Sequence, residues 1–152
     1  MRRVKDIIAS KPQVFNSISP GALVFDALQS LNSVNLSYLV VLEGGEYKGI
    51  FSERDYTRNV ILRGRSSKDT TVEQVMTTDY PKVEVTDTVE YCMNLINTHK
   101  TRYLLAFDDE RFVGVITIHD LLRQVIASKE EVFDHTLTNQ LLDNAEGGGR
   151  IY

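Results

Sequence analysis

The chain has 152 residues, 42% of them hydrophobic and 25% charged, an ordinary balance for a folded soluble domain or for two small repeats that share a core. A formal charge of −4 argues against a nucleic-acid or anionic-membrane surface as the main partner. No apolar run approaches the roughly 18 residues a membrane span requires, and the start, MRRVKDIIASKPQ, lacks the apolar stretch of a signal peptide. The lone Cys92 has no internal disulfide partner and no metal-type spacing, so a cytoplasmic location is expected.

In chain order, the fragment Val4-Lys5-Asp6-Ile7-Ile8 comes first and resembles the later Val72-Glu73-Gln74-Val75-Met76. Val24, Ala27, Leu28 and Leu31 then fall at i, i+3, i+4, i+7, the buried stripe of an amphipathic helix. The apolar run Ser37 to Leu42 predicts a buried strand. Glu43-Gly44-Gly45-Glu46 is a polar turn, and Tyr47 to Phe51 is the return strand of a hairpin. Ser52-Glu53-Arg54-Asp55 opens a second helix carrying Val60-Ile61. The polar segment 63–71, RGRSSKDTT, reads as a linker.

The series then repeats. Ala22 to Leu62 aligns without a gap to Asp87 to Ala127 at an offset of about 65 residues, with about nine identities. Val89, Cys92, Met93 and Ile96 form the matching helical stripe, which makes Cys92 a small core residue. Arg102 to Phe107 and Phe112 to Ile116 are the matching strands, Asp108 to Arg111 the turn, and Thr117-Ile118-His119-Asp120 the opening of a helix carrying Val125-Ile126. Apolar positions from Leu121 to Leu142 predict one long or broken helix, whose Phe133 and Leu137 need a cover such as a dimer partner. Gly147-Gly148-Gly149 reads as a flexible tail. The expected organisation is repeat one over 1–62, a linker over 63–71, repeat two over 72–127, and a C-terminal helical extension and tail over 128–152.

Gly49-Ile50-Phe51-Ser52-x-x-Asp55 and Gly114-Val115-Ile116-Thr117-x-x-Asp120 resemble the G-h-h-[ST]-x-x-D signature of CBS domains, where h is apolar. The resemblance spans roughly residues 4 to 127 and implies an α/β (α+β) fold of two tandem β-α-β-β-α repeats, a Bateman module, packed through their small sheets with pseudo-two-fold symmetry. Ser52-Glu53-Arg54-Asp55-Tyr56-x-Arg58, Gly64 to Lys68 and Val75-Met76-Thr77 further resemble small stand-alone bacterial CBS-pair proteins. That group implies a homodimer that binds AMP or a related adenine nucleotide, and in some cases NAD(H), between the repeats. Two stretches depart from it: Arg102-Tyr103-Leu104-Leu105-Ala106 stands where the group has Arg-His-Leu-Pro-Val, and Thr117-Ile118-His119-Asp120 where it has Ser-Ile-Gly-Asp.

The residue chemistry suits a nucleotide. Asp55 and Asp120 can each accept two hydrogen bonds from a ribose diol, because an ionised carboxylate is acceptor-only. Ser52 and Thr117 lie where a strand gives way to a helix and can meet an anion there. Arg54, Arg58 and Arg102 can offer guanidinium forks to a phosphate, and His119 a weaker, pH-sensitive contact. Asn16 or Val83 on the first strands and Tyr38 or Tyr103 on the second are candidates to hold the adenine. Against this, Ser-x-x-Asp and Thr-x-x-Asp are also close to helix-capping boxes, with the acid reaching back to the cap N–H.

His99, His119 and His135 share no metal spacing, and nothing pairs a nucleophile with an oriented base, so neither a metal site nor a catalytic residue is assigned. The leading expectation is a regulatory module that binds AMP, ADP, ATP or NAD(H), senses energy or redox state and signals to an unidentified downstream protein by conformational change. The alternative is a structural or adaptor homodimer whose nucleotide sites have decayed.

Overall fold

The computed structural model describes residues 2–12 and 14–127. Its helices and strands run α1 (Val4–Ser10), β1 (Ser17–Ile18), α2 (Val24–Val34), β2 (Tyr38–Glu43), β3 (Glu46–Ser52), α3 (Glu53–Asn59), α4 (Val72–Val75), β4 (Lys82–Glu84), α5 (Val89–His99), β5 (Tyr103–Asp108), β6 (Arg111–Thr117) and α6 (Ile118–Ala127). Each repeat is therefore β-α-β-β-α, preceded by a short helix, and the α+β class agrees with expectation. The sheets are β1-β2-β3 and β4-β5-β6. In both, the middle strand pairs parallel with the first and antiparallel with the third.

The repeat extends to backbone detail. The hairpin ladders shift register between Val41 and Leu42 and between Ala106 and Phe107, which are equivalent positions. Helices α2 and α5 both stop on a left-handed residue, Asn35 (φ 58) and Lys100 (φ 51). The first hairpin turns on Gly44 and Gly45, both at positive φ, where a two-residue loop needs a residue without a Cβ penalty.

By contacts along the chain, residues 14–79 form one compact unit, while residues 1–13 join the segment that begins at Tyr80 to form the other. In the 14–79 unit, Val24, Ala27, Leu31, Leu39, Val41, Phe51 and Val60 cluster with Val72 and Val75 of α4. In the other, Val83, Val89, Cys92, Leu104, Ala106, Ile116 and Leu121 cluster with Val4 and Ile7 of α1. The short helix that precedes each repeat thus supplies the core of the other repeat's unit. Sequence repeats and compact units are different partitions of the chain. The 63–71 segment belongs to the 14–79 unit: Val24 N–H donates to Thr70 O at 2.8 Å, Phe25 N–H to Ser67 O at 2.9 Å, and the Lys68 ammonium lies 4.8 Å from the centre of the Phe25 ring.

One helix ends earlier than expected. Val60-Ile61 was predicted on the second helix of repeat one, yet α3 ends at Asn59 and the chain tightens into a 3-10 turn, Ile61–Arg63, closed by left-handed Gly64. Asn59 Nδ2 donates sideways to Val75 O at 3.2 Å, and Val60 turns inward to full burial. In repeat two the equivalent Val125-Ile126 stay on α6 as predicted. The helix expected from Leu121 to Leu142 is seen as far as Ala127; Phe133, Leu137 and the glycine tail lie outside the described residues.

Candidate functional site

Each unit has a corner where its third strand runs directly into its last helix. In the 14–79 unit the corner is β3 into α3. Ser52 N–H donates to Asp55 Oδ2 at 2.8 Å, the Ser52 hydroxyl to the same oxygen at 3.0 Å, and Asp55 N–H back to Ser52 Oγ at 3.2 Å. This is a reciprocal capping box. The first N–H of α3, that of Glu53, donates to Ser37 O at 3.0 Å, which ties the start of β2 to the same corner. The segment after α4 closes it. Thr77 and Ile50 exchange two backbone hydrogen bonds of 2.9 Å, and the Thr77 hydroxyl donates to Asp55 Oδ1 at 2.6 Å. Gly49 is needed for that crossing, since a Cβ there would lie 2.9 Å from Met76 Sδ and 3.0 Å from Thr77 O. Burial pushes the Asp55 carboxyl above its ordinary range, against the opposing pull of Thr77, Ser52 and the more distant Arg58.

The second unit builds the equivalent corner from β6 and α6. Thr117 N–H donates to Asp120 Oδ2 at 2.9 Å and Asp120 N–H to Thr117 Oγ1 at 3.2 Å. Ile118 N–H donates to Arg102 O at 3.3 Å, the counterpart of the Glu53–Ser37 bond. What closes the corner is different: Lys11, just past α1, donates through Nζ to Asp120 Oδ2 at 2.8 Å and to Val115 O at 2.9 Å.

The burial of these groups separates them from ordinary caps. Other back-bonded side chains, Asp6, Gln74 and Asp87, cap or brace the chain at exposed or half-exposed positions. Asp55 and Asp120 are only 5% and 7% exposed, and Ser52 and Thr117 are buried beside them. Among the described residues the buried polar side chains are Ser52, Asp55, Thr70, Thr117 and Asp120, so four of the five are the repeated signature pairs. Burying a carboxylate is costly, and capping does not require it.

Two such corners in duplicated strand-strand-helix units match one family. The CBS-domain profile fits residues 4–61 and again residues 72–127. The chain belongs to the CBS-domain family. It is 34% identical over 113 residues to the CBS domain-containing protein CBSX3, mitochondrial, of Arabidopsis thaliana, covering 71% of this chain and 55% of that one. The chain thus spans about half the length of that relative. Its fold superposes on a CBS-domain protein from Burkholderia ambifaria MC40-6 with a TM-score of 0.78 at 34% identity, covering 87% of this chain and 98% of the other. It also shares the fold of CBSX2, solved in complex with AMP, with a TM-score of 0.69 at 22% identity and coverage of 86% and 100%.

The remaining expected residues of the CBS pair divide into those near a corner and those elsewhere. Arg54 and Arg58 are exposed on α3, two and six residues past Ser52. Arg102 and His119 are half-buried and flank the second corner along the chain, Arg102 through its carbonyl bond to Ile118. Tyr38 opens β2 opposite Ser52 in the ladder, and Tyr103 opens β5 opposite Thr117. Tyr103 is buried and meets the Tyr80 ring edge-on, centroids 5.4 Å apart. Asn16 is exposed and gives its carbonyl to Val40 N–H. Val83 is packed in the second unit's core, with Val4, Ile7 and Leu104.

Three contributors escaped the sequence reading: Thr77, Tyr80 and Lys11. Thr77 lies in the family-like Val75-Met76-Thr77 string, but nothing in that string shows a hydroxyl reaching Asp55. Lys11 carries no positional signal, because α1 has seven residues and α4 four, so the segments that follow them fall out of register. Cys92 has the bland role expected of it: it is fully buried, and burial pushes its thiol up to about 11. Among the described residues no helix is long and apolar enough to cross a membrane, and no cluster of His, Cys, Asp or Glu could hold a metal.

Proposed function

We propose that this CBS pair is a regulatory module that binds an adenine nucleotide, AMP first among the candidates and NAD(H), ADP or ATP beside it, and catalyses no reaction itself. The observation that carries this reading is the burial of a hydroxyl–carboxylate pair at the same strand-to-helix corner in both units. A carboxylate offers about four lone-pair positions. Donors within the fold take three of these on Asp55 and two on Asp120, so each aspartate keeps room for a ribose hydroxyl. The AMP complex of CBSX2, a protein of the same fold, supports the choice of ligand class. Arg54, Arg58, Arg102 and His119 are the groups proposed for the phosphate, and Tyr38 and Tyr103 for the base. Within this reading the module works in the cytoplasm as a homodimer and passes occupancy to a downstream protein by favouring one of two conformations, which requires different affinities for the two.

A thermal-shift series tests it. A ligand at 100 times its dissociation constant adds about 2.7 kcal/mol of stability. AMP is expected to raise the melting midpoint of the wild-type chain, and the double variant Asp55→Asn/Asp120→Asn to lose that rise. If AMP, ADP, ATP and NAD(H) all leave the midpoint unmoved, the corners are caps only, and the adaptor reading replaces this one.

A further inference from the structure

The two corners are closed by different chemistry. Thr77 contacts Asp55 with a neutral hydroxyl and satisfies Ile50 O with its backbone N–H. Val115 is the repeat equivalent of Ile50, and Lys11 Nζ performs both jobs in the second unit, bonding Val115 O and Asp120 Oδ2. The replacement places a full positive charge 2.8 Å from a carboxylate that is 7% exposed, while the lysine side chain keeps 25% of its surface open. A phosphorylated nucleoside approaching an uncompensated buried aspartate meets like-charge repulsion; one approaching an aspartate already paired with an ammonium does not. The lysine is also long and flexible, with three donors, so it can keep one contact and turn another toward an incoming anion.

We propose that Lys11 is a specificity-determining residue of the second corner, making it select phosphate-bearing adenosine ligands over the neutral nucleoside. This rests on the nucleotide-binding reading above. At the first corner Arg58 acts on Asp55 through its charge, and among the described residues no cation touches that carboxylate.

Calorimetric titration of the full chain with AMP and with adenosine tests the proposal. Wild type is expected to prefer AMP. Lys11→Met is expected to shrink the ratio of AMP to adenosine affinity about five- to tenfold, with adenosine itself changed about twofold or less, because the pair acts on the ligand's charge. Lys11→Thr, which copies the Thr77 arrangement, should behave likewise, and Lys11→Arg should retain most of the ratio. A ligand-free melt first shows which variants are folded, and either of the first two suffices. A folded Lys11→Met or Lys11→Thr with the wild-type ratio overturns the role of Lys11 while leaving nucleotide binding intact. Wild type that binds neither AMP nor adenosine instead overturns the functional reading on which the proposal rests.

Discussion

The 14–79 unit and the unit built from 1–13 and the segment after Tyr80 share element order, sheet pairing, bulge position and a buried Ser/Thr–Asp corner, yet they close that corner differently. In the first, a four-residue α4 ends close enough to β3 for the backbone at Thr77 to bridge Ile50. In the second, α1 is three residues longer, and a lysine side chain reaches back to Val115 in place of the bridge. The polar requirement is the same: a strand carbonyl and a buried carboxylate both need donors. A duplicated fold can therefore keep its satisfied groups while changing the charge of the group that satisfies them.

The largest expected break lies in the cores. Phe51 and Ile116 occupy the same repeat position, and both are fully buried. Phe51→Ala should cost about 3–5 kcal/mol, read from the shift in urea midpoint, through lost burial and the cavity left behind. Ile116→Phe should cost about 1–3 kcal/mol by overpacking. If Ile116→Phe were neutral, the second core would have room, and the two units would not be filled to the same density.

The closing groups come next. Lys11→Met removes the charged donor from Asp120 and should cost about 1.5–3 kcal/mol, whereas Thr77→Val removes a neutral donor from Asp55 and should cost about 0.5–1.5 kcal/mol. Urea unfolding of the two variants compares them directly. Equal losses would mean that charge adds nothing to the second corner's stability. Gly49→Ala falls between them, at about 1–3 kcal/mol, since Met76 Sδ can move but the Thr77 carbonyl cannot without disturbing the Ile50 bridge.

The sequence carried the comparison only as far as local pattern and repetition allow. The stripes Val24-Ala27-Leu31 and Val89-Cys92-Ile96, the hairpins and the two signatures were legible because each is written within a few residues. The packing of α1 and α4 on the other repeat's unit was not, because Val4-Lys5-Asp6-Ile7-Ile8 and Val72-Glu73-Gln74-Val75-Met76 look alike in sequence and carry no mark of which core they enter. Lys11 is unmarked in the sequence for the same reason: it meets Asp120 across 109 positions of chain. Val83, a candidate for the adenine from its strand position, packs in the second unit's core with Val4, Ile7 and Leu104. The early end of α3 depended on Asn59 finding Val75 O, a contact made through the fold.

The smallest expected effect concerns pH and isolates Asp55. Burial raises its carboxyl above the ordinary 3.8, so the folded chain holds this proton more tightly than the unfolded chain does. The corresponding stability is fully present below that ordinary value and is lost as pH rises through the raised one. Asp55→Asn keeps a carbonyl to accept from Ser52 N–H but cannot ionise, so it should lack this decline. Urea midpoints of wild type and Asp55→Asn, taken at steps from pH 3.5 to 7, should show wild type losing ground to the variant as pH rises through the window just above 3.8. A difference that stays constant across the range would mean that the Thr77, Ser52 and Arg58 contributions fully offset burial. The first corner would then hold its carboxylate without electrostatic cost, and the contrast with the lysine-paired corner would reduce to the charge of the closing group alone.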